Sequence, residues 1–169
     1  MLLSTAIVAA VCLAAAWIDV RTHRIPNALT LPAIALGLVM AAFLGWRQLA
    51  LRLVTVLVVL AVAIAMHAIG VWGGGDGKLV AAIAALKGFP FVAESAIWTF
   101  LIGGVVALCV LVRKRTLIAS LRSLGHGPAP AVPPTRIPFG PLIAAGVAVT
   151  LLAEALGFRS ILMSGFPNQ

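Results

Sequence analysis

Asp19 and Asp76 are the only aspartates in a 169-residue chain that has four acidic residues in all, the others being Glu94 and Glu154. Each sits at the edge of an apolar run: Asp19 closes residues 2–18, and Asp76 follows Gly73-Gly74-Gly75 behind the run from Leu53 to Trp72. An ionisable residue in or beside a membrane span is costly, and by default it marks a functional site. Two carboxyls brought together in low-polarity surroundings cannot both ionise. They share a proton, so one can serve as base and the other as acid. Such a pair can activate a water against a peptide carbonyl while protonating the leaving nitrogen, with neither a metal nor a covalent intermediate. Two plainer assignments compete. Asp19 can pair with Arg21 or Arg24 at the headgroups, and Asp76 can cap the helix that follows it, where its charge suits the positive end. The two residues alone leave the choice open.

The elements that must position them are membrane helices. The chain is 63% hydrophobic and 9% charged, with a mean hydropathy of +1.18. A soluble domain is about 45–50% apolar and about 25% charged, so an all-α polytopic membrane protein is expected. A span needs roughly 20 apolar residues, which predicts helices over about 2–18, 28–45, 53–72, 77–88, 91–112 and 138–156. They form a single membrane domain. The first is expected to be retained rather than cleaved, because no Lys or Arg precedes Arg21 to make a signal-peptide n-region. The two cysteines, Cys12 and Cys109, each lie within an apolar run and are expected to be isolated and buried.

Six alternating spans put Arg21, Arg24, Lys78, Arg113, Lys114, Arg115, Arg122 and Arg136 on one side, and Arg47, Arg52, Lys87 and Arg159 on the other. The positive-inside rule makes the first side cytoplasmic and both termini extracytoplasmic. Asp19 and Asp76 fall on that same side, although the count of basic residues took no account of them. The net charge of +8 then reports topology and anionic headgroups rather than nucleic acid.

The fourth segment is short. Gly77 to Gly88 spans roughly 18 Å as a helix, against a hydrocarbon core of about 30 Å. Either the third and fourth segments meet below the surface at the glycines, or the fourth is tilted in a thinned membrane. The first is favoured, with residues 73–77 expected to be irregular backbone that lines a wet cavity and, with four glycines among them, to be mobile. Loop 113–137 reads as a short basic surface helix carrying Leu117, Leu121 and Leu124. A proline-rich linker follows it.

Gly73-Gly74-Gly75-Asp76-Gly77-Lys78 resembles the G-x-G-D signature of membrane aspartyl proteases. Its continuation Leu79-Val80-Ala81-Ala82 is similar to that of the type IV prepilin peptidases. So is Asp19-Val20-Arg21-Thr22-His23-Arg24-Ile25-Pro26-Asn27, and Pro138-Phe139-Gly140-Pro141 resembles that family's opening of the last helix. The resemblance implies that Asp19 and Asp76 are the catalytic pair. It also implies a leader endopeptidase for prepilins or pseudopilins in the bacterial inner membrane, working with a pilus or secretion assembly and without a cofactor. Longer members carry a Cys-x-x-Cys zinc insertion and an N-methyltransferase activity. Only residues 19–27 separate the first two helices here, so the likeness is to the short, peptidase-only form of tight-adherence (Flp-type) pilus systems.

Neighbouring residues take supporting roles in this reading. Gly73 and Gly75 allow the backbone to bend and a substrate to approach closely. Lys78 either holds a carboxylate or substrate, or reaches the headgroups. Arg24, Pro26 and Asn27 shape the turn that carries Asp19, while Pro138 and Gly140 set the start of the last helix. Glu94 and Glu154 are expected at the far interface, and His67 in mid-helix. Two other classes remain at this stage: a non-catalytic membrane subunit of a pilus or secretion assembly, and a small proton-coupled carrier.

Overall fold

A computed structural model describes residues 2–70, 73–113 and 139–157. Six helices account for nearly all of them: α1 (Leu2–Thr22), α2 (Asn27–Phe43), α3 (Trp46–Ala68), α4 (Gly74–Lys87), α5 (Phe89–Arg113) and α6 (Gly140–Ala155). Within α1, α3 and α5, the stretches Leu2–Thr22, Trp46–Ala68 and Phe89–Val110 are long and apolar enough to cross a bilayer; α2 and α6 are shorter apolar helices. The chain has the architecture of a polytopic membrane protein. The basic and proline-rich segment after Arg113, with Leu117, Leu121, Leu124 and Pro138, lies outside the described residues, as does the C-terminal tail beyond Gly157.

The short helix is the centre of the bundle. From Leu79 to Leu86 every residue of α4 is buried, and α1, α2, α3 and α5 all pack on it, with α6 joining the outside between α1 and α5. Apolar burial gives no net drive between helices in lipid, so association depends on close backbone approach at small residues and on polar contacts. The sequence supplies both. A Cβ on Gly37 of α2 would lie 2.6 Å from the backbone of Ala85, and one on Gly146 of α6 would lie 2.6 Å from the Ser95 carbonyl of α5. The alanines of α4 (Ala81, Ala82, Ala84 and Ala85) are each completely buried.

A 14-residue helix is roughly 21 Å long, so its ends cannot both reach water across a full bilayer. Each end is satisfied by protein instead. At the C-terminus, Arg52 of α3 donates from Nη1 to the carbonyls of Ala85 (2.8 Å) and Leu86. Gly88 closes the turn with φ 87°, a left-handed angle that suits glycine. Alongside, Lys87 Nζ pairs with Glu154 Oε2 of α6 at 2.8 Å and lies 4.9 Å from the centre of the Phe91 ring.

Helix limits differ from the apolar runs in an instructive way. α1 continues through Asp19 to Thr22 and α3 begins at Trp46, each a turn or more beyond its run. Hydropathy marks where a segment meets lipid, whereas the helix stops only where the backbone is broken. α1 ends at His23, whose φ is 51°, just before Pro26.

Candidate active site

The tripled glycine was expected to form an irregular, mobile loop, and the structure corrects this. α4 begins at Gly74, so Gly75, Asp76 and Gly77 occupy its first turn. None of Gly73, Gly74, Gly75 or Gly77 has a positive φ. Their function here is space. A Cβ on Gly75 would stand 3.0 Å from Cβ of Ile25, one on Gly77 would run into Ala63 of α3, and one on Gly73 would stand 2.9 Å from Asp76 Oδ2. The glycines let the chain's own elements close on the start of α4.

The Ile25 contact is what couples the two acidic motifs. Ile25 is buried, so the turn of residues 23–26 between α1 and α2 sits directly on the first turn of α4. Thr22 steadies this turn, its hydroxyl lying 2.9 Å from the Ile18 carbonyl and 3.0 Å from that of Arg24. One further bond spans the same junction: Lys78 Nζ donates to Asn27 Oδ1 at 2.8 Å, linking the starts of α4 and α2.

The aspartates are therefore brought to the same end of the bundle from α1 and α4. Asp19 is 5% exposed. Its Oδ2 accepts the backbone N–H of Gly140 at 2.8 Å, at the first residue of α6. A Cβ on Gly140 would be 2.9 Å from that oxygen, so glycine is needed for the approach. Asp76 is half-buried, and its Oδ2 accepts the N–H of Gly73 at 3.0 Å. This is the helix-capping role weighed for it as an alternative. Capping uses one oxygen and leaves the other available, so it coexists with a chemical role. Among the described residues, the second oxygen of each carboxylate has no hydrogen bond. Two carboxylates, each oriented by one backbone donor at a low-polarity helix junction, form an arrangement that can hold and move a proton.

A sequence profile of the type IV leader peptidase family matches residues 6–108, both aspartates included. The chain belongs to the type IV leader peptidase family. No curated protein matches the chain significantly, and no solved structure does. Membership implies a membrane-embedded peptidase of the leader-peptidase kind. Gly140 and the start of α6 lie beyond the matched span, so the tie between Gly140 and Asp19 is information that only the tertiary structure adds.

Gly73, Gly75, Lys78, Pro26, Asn27 and Gly140 all gather at the α1–α4–α6 junction, while Arg24 is exposed beside it. Neither Arg21 nor Arg24 pairs with Asp19; the Arg21 guanidinium instead lies 4.3 Å from the centre of the Trp17 ring. His67 lies exposed near the end of α3 rather than in mid-helix. Cys12 is buried, but Cys109 is exposed on α5, contrary to expectation. Sequence reasoning missed Ile25 and the Lys87–Glu154 pair. The signal for Ile25 was its place between His23 and Pro26, an isolated apolar residue in a polar turn. Nothing in the sequence pairs Lys87 with Glu154.

Proposed function

We propose that the chain is an aspartyl endopeptidase that removes the short N-terminal leader of prepilins or pseudopilins, cutting at the cytoplasmic end of the substrate's apolar helix. The observation that carries this reading is that the chain's only two aspartates lie at the same end of the bundle, each oriented by a backbone N–H from a helix start. The coupled carboxyls share one proton. The ionised member takes a proton from a water, whose oxygen attacks the peptide carbonyl. The protonated member then gives its proton to the departing amine. Neither carboxyl is assigned permanently to one role.

Gly140, Gly73, Ile25 and the Lys78–Asn27 bond position the pair, and Pro26 sets the turn. The distribution of basic residues supports a cytoplasm-facing site in a bacterial inner membrane, which fits a leader that is never translocated. Only residues 23–26 join α1 to α2. That leaves no room for a zinc-binding insertion and supports the short, Flp-type form without N-methyltransferase activity, serving a pilus or secretion assembly.

The test is cleavage of a Flp-type prepilin by the purified protein in lipid. Asp19→Asn and Asp76→Asn are each expected to lose at least about a thousand-fold in rate, as removal of one half of an acid–base unit does, while retaining the wild-type melting profile. A variant that trims the substrate at the normal rate refutes the dyad.

A further inference from the structure

Arg52 stands at the end of α4 opposite to Asp76. It lies six residues into α3, about 9 Å beyond Trp46, and Trp46 is 82% exposed, as suits an interfacial anchor. The half-buried guanidinium gives Nη1 to the Ala85 and Leu86 carbonyls, and its other N–H groups remain as donors. Among the described residues its charge meets no carboxylate. Of the four acids, Asp19 and Asp76 are at the far end of the bundle, Glu154 is held by Lys87, and Glu94 makes no ion pair among the described residues. Beside Arg52 a cavity of about 240 Å³ opens between α3 and the start of α5, walled by Gln48, Leu51, Val54, Val58, Phe89 and Pro90.

A charged donor set at the end of an apolar trough, at interfacial depth, has the polarity of a phospholipid. We propose that this cavity binds one anionic phospholipid of the leaflet opposite the aspartates. The phosphate accepts from the Arg52 guanidinium, and an acyl chain lies along Leu51, Val54 and Val58. The lipid supplies the anion that Arg52 lacks among the described residues. It also covers the cleft between α3 and α5, next to the last turn of the central helix.

The experiment is native mass spectrometry of the full-length protein released from nanodiscs of equal phosphatidylglycerol and phosphatidylcholine content. The expected result is one retained phosphatidylglycerol, preferred over phosphatidylcholine by about five-fold or more. Val54→Trp fills the trough while leaving Arg52 in place, and Arg52→Gln removes the charge; both are expected to abolish the preference. Arg47→Gln, on the exposed first turn of α3, is expected to keep it. Equal retention of the two lipids overturns the proposal, as does a preference that survives Val54→Trp. Loss of the preference on adding inorganic phosphate overturns it by showing that the headgroup alone suffices. Retention of an added prepilin helix at this cavity in place of phosphatidylglycerol overturns it in favour of a protein occupant.

Discussion

The backbone N–H of Gly140 donates to Asp19 Oδ2 at 2.8 Å across 121 positions of sequence, so the start of the last helix holds an acid carried by the first. There is no room at that point for a side chain, because a Cβ on residue 140 would lie 2.9 Å from both Cβ and Oδ2 of Asp19. Gly140→Ala is therefore expected to displace the carboxylate by several tenths of an ångström. Misplacement on this scale costs catalysis far more than stability, and a fall of about ten- to a hundred-fold in kcat is expected. Single-turnover cleavage of prepilin, compared with the melting temperature of the same sample, checks this.

A shared-proton pair requires one carboxyl charged and one neutral. Activity is expected to fall on both sides of an optimum: below it as the second carboxyl takes a proton, and above it as the shared proton is lost. The pH profile of kcat/KM measures both limbs. A profile with a single limb argues against a two-carboxyl mechanism.

Lys78 and Asn27 join the starts of α4 and α2 by an exposed bond of 2.8 Å. Because the bond is exposed, its coupling is expected to be modest, about 1 kcal/mol or less. A double-mutant cycle of Asn27→Ala and Lys78→Met, read as thermal stability in lipid, measures it. The effect on cleavage is expected to exceed the effect on stability, because the bond spans the junction at which Asp76 is set.

Close packing on the central helix makes a sharper stability prediction. Gly37→Ala drives a methyl against Ala85 backbone 2.6 Å away, and backbone cannot swing aside. The expected loss is about 1–3 kcal/mol. Gly103→Ala is the control, since its new methyl meets only Leu142 Cδ1 at an ordinary 3.5 Å. Thermal unfolding of the two variants should separate them clearly.

Glu154→Gln leaves the half-buried Lys87 ammonium without its carboxylate. It is expected to destabilise the bundle by about 1–3 kcal/mol, and Lys87→Met/Glu154→Leu is expected to recover most of the loss. Chemical or thermal unfolding of the single and double variants decides this. Leader cleavage normalised to folded protein should change little, since both residues lie at the end away from the aspartates.

The sequence by itself determined that this chain is a helical membrane protein. Apolar length is a direct measure of what a bilayer will accept, and only helices satisfy their own backbone there. It also singled out Asp19 and Asp76, because an acid in so apolar a chain is costly enough to need a reason. What it did not determine is how neighbouring residues serve them. The glycines before Asp76 suggested a loose loop, yet in the bundle they form a tight helix start on which Ile25 and Ala63 close. A glycine's sequence context does not distinguish freedom of the backbone from closeness of a neighbour. The hold of Gly140 on Asp19, the capping of α4 by Arg52 and the Lys87–Glu154 pair depend on which helices become neighbours. Between apolar helices in lipid, that order is decided by packing and a few polar contacts distant in sequence, and only the tertiary structure records them.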